Sequence, residues 1–358
     1  MYQRKSRRCC AMMLLVSICL RICMFLGLDA KAAALLVDAA SSPDFARFLL
    51  YLETGQVAQA EVPMPEPELV VVRMHQPQSK PVEPVEMEVI CVEEPTLPAA
   101  TAAAEEITVA GGCTYTYDKA ALLAQPSTLD FSGDGPKILI VHTHSTEAYT
   151  PEAGWEYEAM TGYRTLDQTR SVIAVGDALA QTLERYGIEV LHDKTVNDYP
   201  SYNDSYWTTL QKINDWLIQY PSIQMVIDIH RDAVEDVSGG AVALSSTQNG
   251  QSAAQLMLVV GTDQGGLNHP DWQENLANAL KLQSVLQGQY PGLCRKLDLR
   301  TERFNQHATP GSILVEVGTN GNTLRQALLS AQLLGEGIAA TIQLLEEAPE
   351  AWSPNVSP

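Results

Sequence analysis

The chain has 358 residues, enough for two average domains, and 46% of them are hydrophobic, enough for a real core. Its 43 acidic residues against 23 basic ones leave a formal charge of −20. That balance argues against nucleic acid as a partner, because a phosphate backbone needs a basic surface. It leaves cations and neutral, bulky substrates open.

The N-terminus opens MYQRKSRR and runs into AMMLLVSICLRICMFLGL, eighteen residues from Ala11 to Leu28 broken by Arg21. Basic residues ahead of an apolar stretch mark a segment that enters a membrane with its N-terminus inside. Residues 1–35 therefore read as a membrane anchor, with a signal cleaved near Ala30-Lys31-Ala32 as the alternative; either exports the rest. Residues 36–136 read as a membrane-proximal segment, mildly helical over 36–60, followed by a low-complexity linker. Over 61–107 the stretches EVPMPEPELVV, QPQSKPVEPVEMEVI and EEPTLPAATAAAEE are rich in Pro and Glu. Such composition cannot bury enough apolar area to offset its ordering, and its prolines favour an extended spacer.

A compact domain is expected over 137–345. KILIVH (137–142) reads as a buried strand. Residues 167–186 carry Val172, Val175, Leu179, Leu183 and Tyr186 at helical spacing, and Gly187 ends the helix. IEVLH (188–192) is a short strand. A second helix, 205–220, is closed by Pro221. Strands follow at 223–230 (IQMVIDIH) and 252–261 (SAAQLMLVVG), then a helix over 271–289, a strand at 311–318 (GSILVEVG) and a long helix over 322–345, with Asn322 as its expected cap. Residues 346–358 are a loose tail. The alternation predicts an α/β fold: a mostly parallel or mixed sheet with helices on both faces.

Three of these strands end in chemically capable residues. KILIVHTHSTE supplies His142, His144 and Glu147; IQMVIDIHRDA supplies Asp228, His230, Arg231 and Asp232; SILVEVG supplies Glu316. In a largely parallel sheet these groups meet in one crevice. Each histidine taken singly reads as structural, and His269 and His307 are loop candidates for lining a cleft. A carboxylate inside SILVEVG, however, is expensive to bury without a partner. Imidazole and carboxylate donors suit zinc, with three ligands, an open position for water and a spare carboxylate as base. That set would hydrolyse an amide without a covalent intermediate. HExxH and GxSxG are both absent, and no CxxC supports a zinc finger.

At these residues the sequence resembles the stage II sporulation protein P family of spore-forming Firmicutes. HTHSTEAYTP (142–151), DIHRDA (228–233), VVGTD (259–263) with NHPDWQENL, and RFNQ…SILVEVGTNGNTL (303–324) look like its successive blocks. The resemblance implies a domain similar to zinc-dependent N-acetylmuramoyl-L-alanine amidases, cutting the lactyl–L-alanine amide between glycan and stem peptide. It implies His144, Glu147 and His230 as ligands to Zn2+. His142 is the alternative ligand or an orienting group behind the metal, and Glu152 or Glu156 are alternatives to Glu147. It implies Glu316 as the catalytic carboxylate; Arg231 reads beside it as contacting a substrate carboxylate or developing oxyanion. It further implies septal wall thinning during engulfment, between mother-cell and forespore membranes, beside a lytic transglycosylase and a polytopic membrane scaffold. A metal-dependent endopeptidase acting within stem peptides, and a non-enzymatic wall-binding module, are the competing readings.

Overall fold

The computed structural model describes residues 101–347 and Trp352. The expected anchor, the helix over 36–60 and most of the Pro/Glu-rich stretch and of the tail lie outside the described residues. In chain order the elements are β1 (Val109–Ala110), α1 (Lys119–Ala124), β2 (Ile138–Val141), α2 (Val172–Arg185), β3 (Val190–His192), α3 (Ser205–Gln219) and β4 (Met225–Asp232). Then come β5 (Ser245–Gln248), β6 (Gln251–Ala254), β7 (Leu256–Val260), α4 (Trp272–Gln289), β8 (Leu297–Leu299), β9 (Ile313–Thr319) and α5 (Leu324–Glu347).

Seven strands form one sheet in the order β1-β8-β7-β9-β4-β2-β3. β9, β4, β2 and β3 are mutually parallel. β7 runs antiparallel to β9 and parallel to β8, which is parallel to β1. The sheet is therefore mixed, and the three strands that carry the polar groups lie in its parallel half. β2 is buried along its whole length, as a strand covered on both faces must be. Strand parity sorts its residues: Ile138 and Ile140 join the larger core under α1, α2, α4 and α5, whereas Leu139 and Val141 pack with Ile213 of α3 on the other face.

Residues 101–136 belong to the packed body. Ala102, Ile107, Leu122, Leu123 and Phe131 are buried in the larger core, and β1 edges the sheet. These apolar residues follow neither helical nor strand period, which leaves no pattern to read in the sequence. The single strand expected over 252–261 is split at Gln255: β5 and β6 form a separate hairpin whose turn is Asn249-Gly250, both at positive φ (49° and 79°). That dipeptide is the strongest short hairpin signal a sequence carries.

α5 begins differently from the expected Asn322 cap. Thr323 and Gln326 form a reciprocal box, with Thr323 N donating to Gln326 Oε1 at 3.1 Å and Gln326 N to Thr323 Oγ1 at 3.3 Å. Asn322 instead accepts from Thr319 N and Leu244 N, tying the end of β9 to the loop ahead of the hairpin. By length and composition α5 is the one helix among the described residues able to cross a membrane. Half of its residues are buried here, and Ala327, Ala331, Leu334 and Ile338 sit in the larger core with α2 and α4.

One glycine inside α2 has a steric cause. A Cβ at Gly176 would lie 2.6 Å from His192 Nε2 and 2.7 Å from His142 Nε2. Those two nitrogens are 2.7 Å apart and bonded to each other, so neither ring can retreat. Alanine would gain about 1 kcal/mol of helix propensity. We nevertheless expect Gly176→Ala to lose about 1–3 kcal/mol of net stability through overpacking. Urea unfolding checks this; a more stable variant would mean that the imidazole pair parts freely.

Candidate active site

The site is built from β2, β4 and β9. Alternation along β4 sends Asp228 and His230 to the α3 face, and Glu316 of β9 lies in register beside His230 on that face. His144, just beyond β2, joins them with its ring centroid 5.2 Å from that of His230, edge to face. Glu147 closes the group: its Oε2 is 3.5 Å from His230 Nδ1 and accepts from Arg231 N at 3.1 Å.

A local irregularity makes room for that last bond. The β4–β9 register shifts between His230 and Asp232, and Gly318 of β9 holds φ +73° there. Such a bulge turns a backbone group away from the ladder. Any Cβ at Gly318 would also stand 2.7 Å from the Cβ of Ala254.

The charges follow from this packing. Asp228 accepts from Thr143 N at 2.8 Å and Thr143 Oγ1 at 2.5 Å. Its Oδ1 is 3.0 Å from His230 Nε2, a close approach without hydrogen-bond alignment. Burial alone would keep His230 neutral, but Asp228 and Glu147 on either side outweigh it and raise its pKa well above the usual imidazole value. The same charge works in reverse on the acids. Burial favours their neutral forms, yet His230 holds Asp228 down, and His230 with Arg231 holds Glu147 at about 2. Glu316 goes the other way. Burial is the largest cause, the Glu147 carboxylate adds to it, and the proximity of His230 only partly offsets them, so its pKa stands at about 8. Glu316 is partly exposed, while its Oε2 is sealed from solvent and has no partner.

The rim is aromatic and cationic. His144 stacks on Tyr202 at 4.4 Å and meets Tyr206 of α3 edge-on at 5.6 Å. Arg164 lies 4.7 Å above the Tyr202 ring and pairs with Asp198 at 2.6 Å. Asp198 in turn accepts from Ser145 and Thr146, fixing the turn that carries His144 and Glu147. Sequence reasoning passed over Arg164, Asp198, Tyr202 and Tyr206. They lie in or beside loops, where no period marks a residue as inward-facing.

Of the residues expected at the site, His144, Glu147, His230 and Glu316 come together. His142 does not. Its side chain points to the opposite face of the sheet, bonded to His192 Nε2 and to Ile229 O at 3.2 Å. Arg231 is present but committed. Its Nε and a terminal nitrogen each donate at 2.9 Å, to Ala148 O and Tyr163 O, and the remaining nitrogen lies 3.7 Å from Glu147. It clamps the 147–164 loop. Glu152 pairs with Arg325 at 2.5 Å. Tyr157 donates to Tyr149 O, and Trp155 carries Arg170 over its ring at 5.1 Å, so both are engaged locally.

The expected zinc centre does not stand. Among the described residues no group of three or more histidine, cysteine, aspartate or glutamate side chains is arranged to hold a metal ion. Glu147 Oε2 accepts from Arg231 N and its other oxygen lies 3.5 Å from Arg164, and the two His230 nitrogens lie 3.0 and 3.5 Å from carboxylate oxygens of Asp228 and Glu147. The zinc-dependent mechanism is withdrawn with the site. What remains is a proton-exchanging cluster: an imidazolium between carboxylates, beside a carboxyl that holds its proton near neutrality.

Fold and cluster together define a class: an α/β protein with a buried acid–base centre on the parallel half of a mixed sheet. Within that class the chain belongs to the stage II sporulation protein P family, whose sequence profile matches residues 63–339. It is 29% identical over 212 residues to the stage II sporulation protein P of Bacillus subtilis (strain 168), covering 54% of this chain and 48% of that protein. The match thus spans about half the length of that curated relative. Among solved structures it is similar to the N-acetylmuramyl-L-alanine amidase Ami1 of Mycobacterium abscessus (13% identity, 57% of this chain and 98% of that one, TM-score 0.35). It is likewise similar to the CwlD amidase of Clostridioides difficile in complex with the GerS lipoprotein (12% identity, 59% and 99%, TM-score 0.33). At such TM-scores these likenesses add nothing to the assignment.

Proposed function

We propose that the chain is a peptidoglycan hydrolase that cuts the amide between the glycan's lactyl group and the L-alanine of the stem peptide. The observation that carries this reading is Glu316, a carboxyl with one sealed, unpartnered oxygen set beside the His230 imidazolium. A carboxyl tuned toward the working pH is suited to proton transfer in both directions. In its ionised form Glu316 would take a proton from the attacking water and deliver it to the leaving amine nitrogen as the carbon–nitrogen bond breaks. The charge of His230 would stabilise the oxyanion formed in between. Membership of the stage II sporulation protein P family supports the substrate class.

In this reading residues 11–28 attach the chain to a membrane, the stretch to about 100 gives it reach, and the packed body from 101 carries the reaction. It acts outside the cytoplasm on the septal wall between mother cell and forespore, beside a lytic transglycosylase and a polytopic scaffold. The test is a digest of purified sacculi with the detergent-solubilised full chain, read by mass spectrometry. Stem peptides with a free L-alanine N-terminus are expected. Fragments cut only inside the stem peptide would replace the amidase by an endopeptidase, and intact sacculi would refute both.

A further inference from the structure

A second group of polar side chains lies on the same face of the sheet. His269 has no exposed surface, and neither of its ring nitrogens has a partner. Around it His307 Nδ1, Arg303 Nε and Asp263 Oδ1 are also buried and unpartnered. The two imidazole centroids are 6.5 Å apart. Buried polar atoms are nearly always satisfied, so five in one place call for a ligand that supplies the missing bonds. Arg303, His307 and Asp263 are only partly buried around the enclosed His269, which leaves a way in.

The donor set indicates the chemistry. A guanidinium N–H and two imidazoles present hydrogen-bond donors to one place, and such groups bind oxyanions most strongly. Burial first, then the neighbouring His307 and Arg303, hold the His269 pKa at about 4 against a partial offset from Asp271 and Asp263, so its ring is neutral near pH 7 and offers one N–H. Asp263, faced by Tyr115, and Asp271 are the acids nearby. The free Asp263 oxygen can accept from an amine or hydroxyl carried beside the bound anion.

The segment that supplies Arg303 and His307 also reaches the reaction centre. Between them Phe304 holds φ +52°, a conformation uncommon outside glycine and a form of strain that clusters at functional sites. Its ring lies 5.9 Å from that of Tyr206, whose own ring meets His144. Asn305 Nδ2 donates to Tyr206 O at 2.8 Å, and Gln306 pins the segment to Gly261 N and Val259 O. Ala308 packs with Leu139, Val141 and Val226 under α3, which places the segment on the Glu316 face.

We propose that His269, His307 and Arg303, with Asp263 beside them, form a subsite for a free carboxylate of the stem peptide. This deepens the hydrolase reading and rests on it for the identity of the ligand. The experiment compares two synthetic N-acetylmuramoyl tripeptides, one ending in a free carboxylate and one in a carboxamide. Both are titrated into the full chain carrying Glu316→Gln and assayed as substrates of the unaltered chain. The free acid should bind at least tenfold more tightly than the amide. His307→Gln and Arg303→Gln should erase that preference by raising KM for the acid, with kcat and the amide's affinity unchanged. Equal affinity for the two peptides in the unaltered subsite would overturn the proposal, whether or not the variants fold. So would a preference that survives both substitutions. A preference for the acid without cleavage would uphold the subsite and refute the hydrolase reading; cleavage without a preference would do the reverse.

Discussion

Replacing Glu316 by glutamine is expected to lower the release of stem peptides from sacculi by about 10²- to 10⁴-fold, the usual contribution of one positioned proton-transfer group. Glutamine keeps the shape of the side chain and cannot exchange the proton. The fold should survive, because Glu316 is held by its place in β9 beside His230, and its Oε2 makes no bond that would be lost. Stability supplies an independent reading with a definite sign. The carboxyl's folded pKa of about 8 lies above its ordinary 4.5. Between those values the unfolded chain has released this proton and the folded chain has kept it. This group's contribution is therefore most favourable below 4.5 and declines as pH rises to about 8. Glu316→Gln removes that decline, so urea unfolding should show the variant gaining on the parent from acid to alkaline pH. Full activity in Glu316→Gln would remove this residue from the reaction. A parallel pH dependence of the two stabilities would show that the carboxyl is ionised at neutrality.

Removing Asp228 should be the most damaging single truncation at the site. Asp228→Ala leaves the Thr143 amide and hydroxyl without an acceptor and strips the His230 imidazolium of one of its two carboxylates. Breaking a buried ion pair from one side costs about 3–5 kcal/mol. The penalty should depend on pH in a stated direction. The Asp228 pKa is depressed, so its share is present above the ordinary value of 3.8 and fades as pH falls through the folded value. The His230 pKa is raised, so its share is present below 6.5 and fades as pH rises through the folded value. The gap between parent and variant should be widest in mildly acidic solution and narrow towards alkaline pH. Denaturant titrations across that range measure it. Asp228→Asn keeps an acceptor for Thr143 and isolates the loss of charge. A gap of the same size at every pH would show that His230 is neutral.

The chemistry-bearing strands were legible because each is a run of apolar residues ended or broken by polar ones, and a parallel sheet brings such interruptions to one place. His144, Glu147, His230 and Glu316 were found on that ground. The choice of chemistry was not legible. Imidazoles and carboxylates serve a metal or a proton equally well, and their freedom to bind a metal depends on what else claims their lone pairs. Here Arg231 takes Glu147 by its backbone amide, and Arg164 approaches from a loop seventeen residues further on. His142 and His144 would share a face if the strand continued, but the chain turns at 143–146, so His142 keeps the strand's alternation and meets His192 while His144 is carried to the other face. Other signals were present and passed over. Thr323-Leu324-Arg325-Gln326 is a capping box one residue beyond the asparagine chosen as cap, and Asn249-Gly250 marks a hairpin inside what read as loop and strand. Residues 101–136 carried no period at all, and their place in the core emerges only from contacts made over long separations.

The antiparallel turn of β7 against β9 gives Glu316 two unlike flanks. On one side stands the charged ring of His230; on the other, in register, is Met257. A thioether brings neither charge nor a strong hydrogen bond, so nothing from that direction draws the carboxyl toward ionisation. The acidity of the central group is thus governed partly by a strand that contributes no reactive atom. A cationic side chain at that one place would convert a proton reservoir into a fixed anion, and a related chain could retune its working pH without altering a single group of the acid–base cluster.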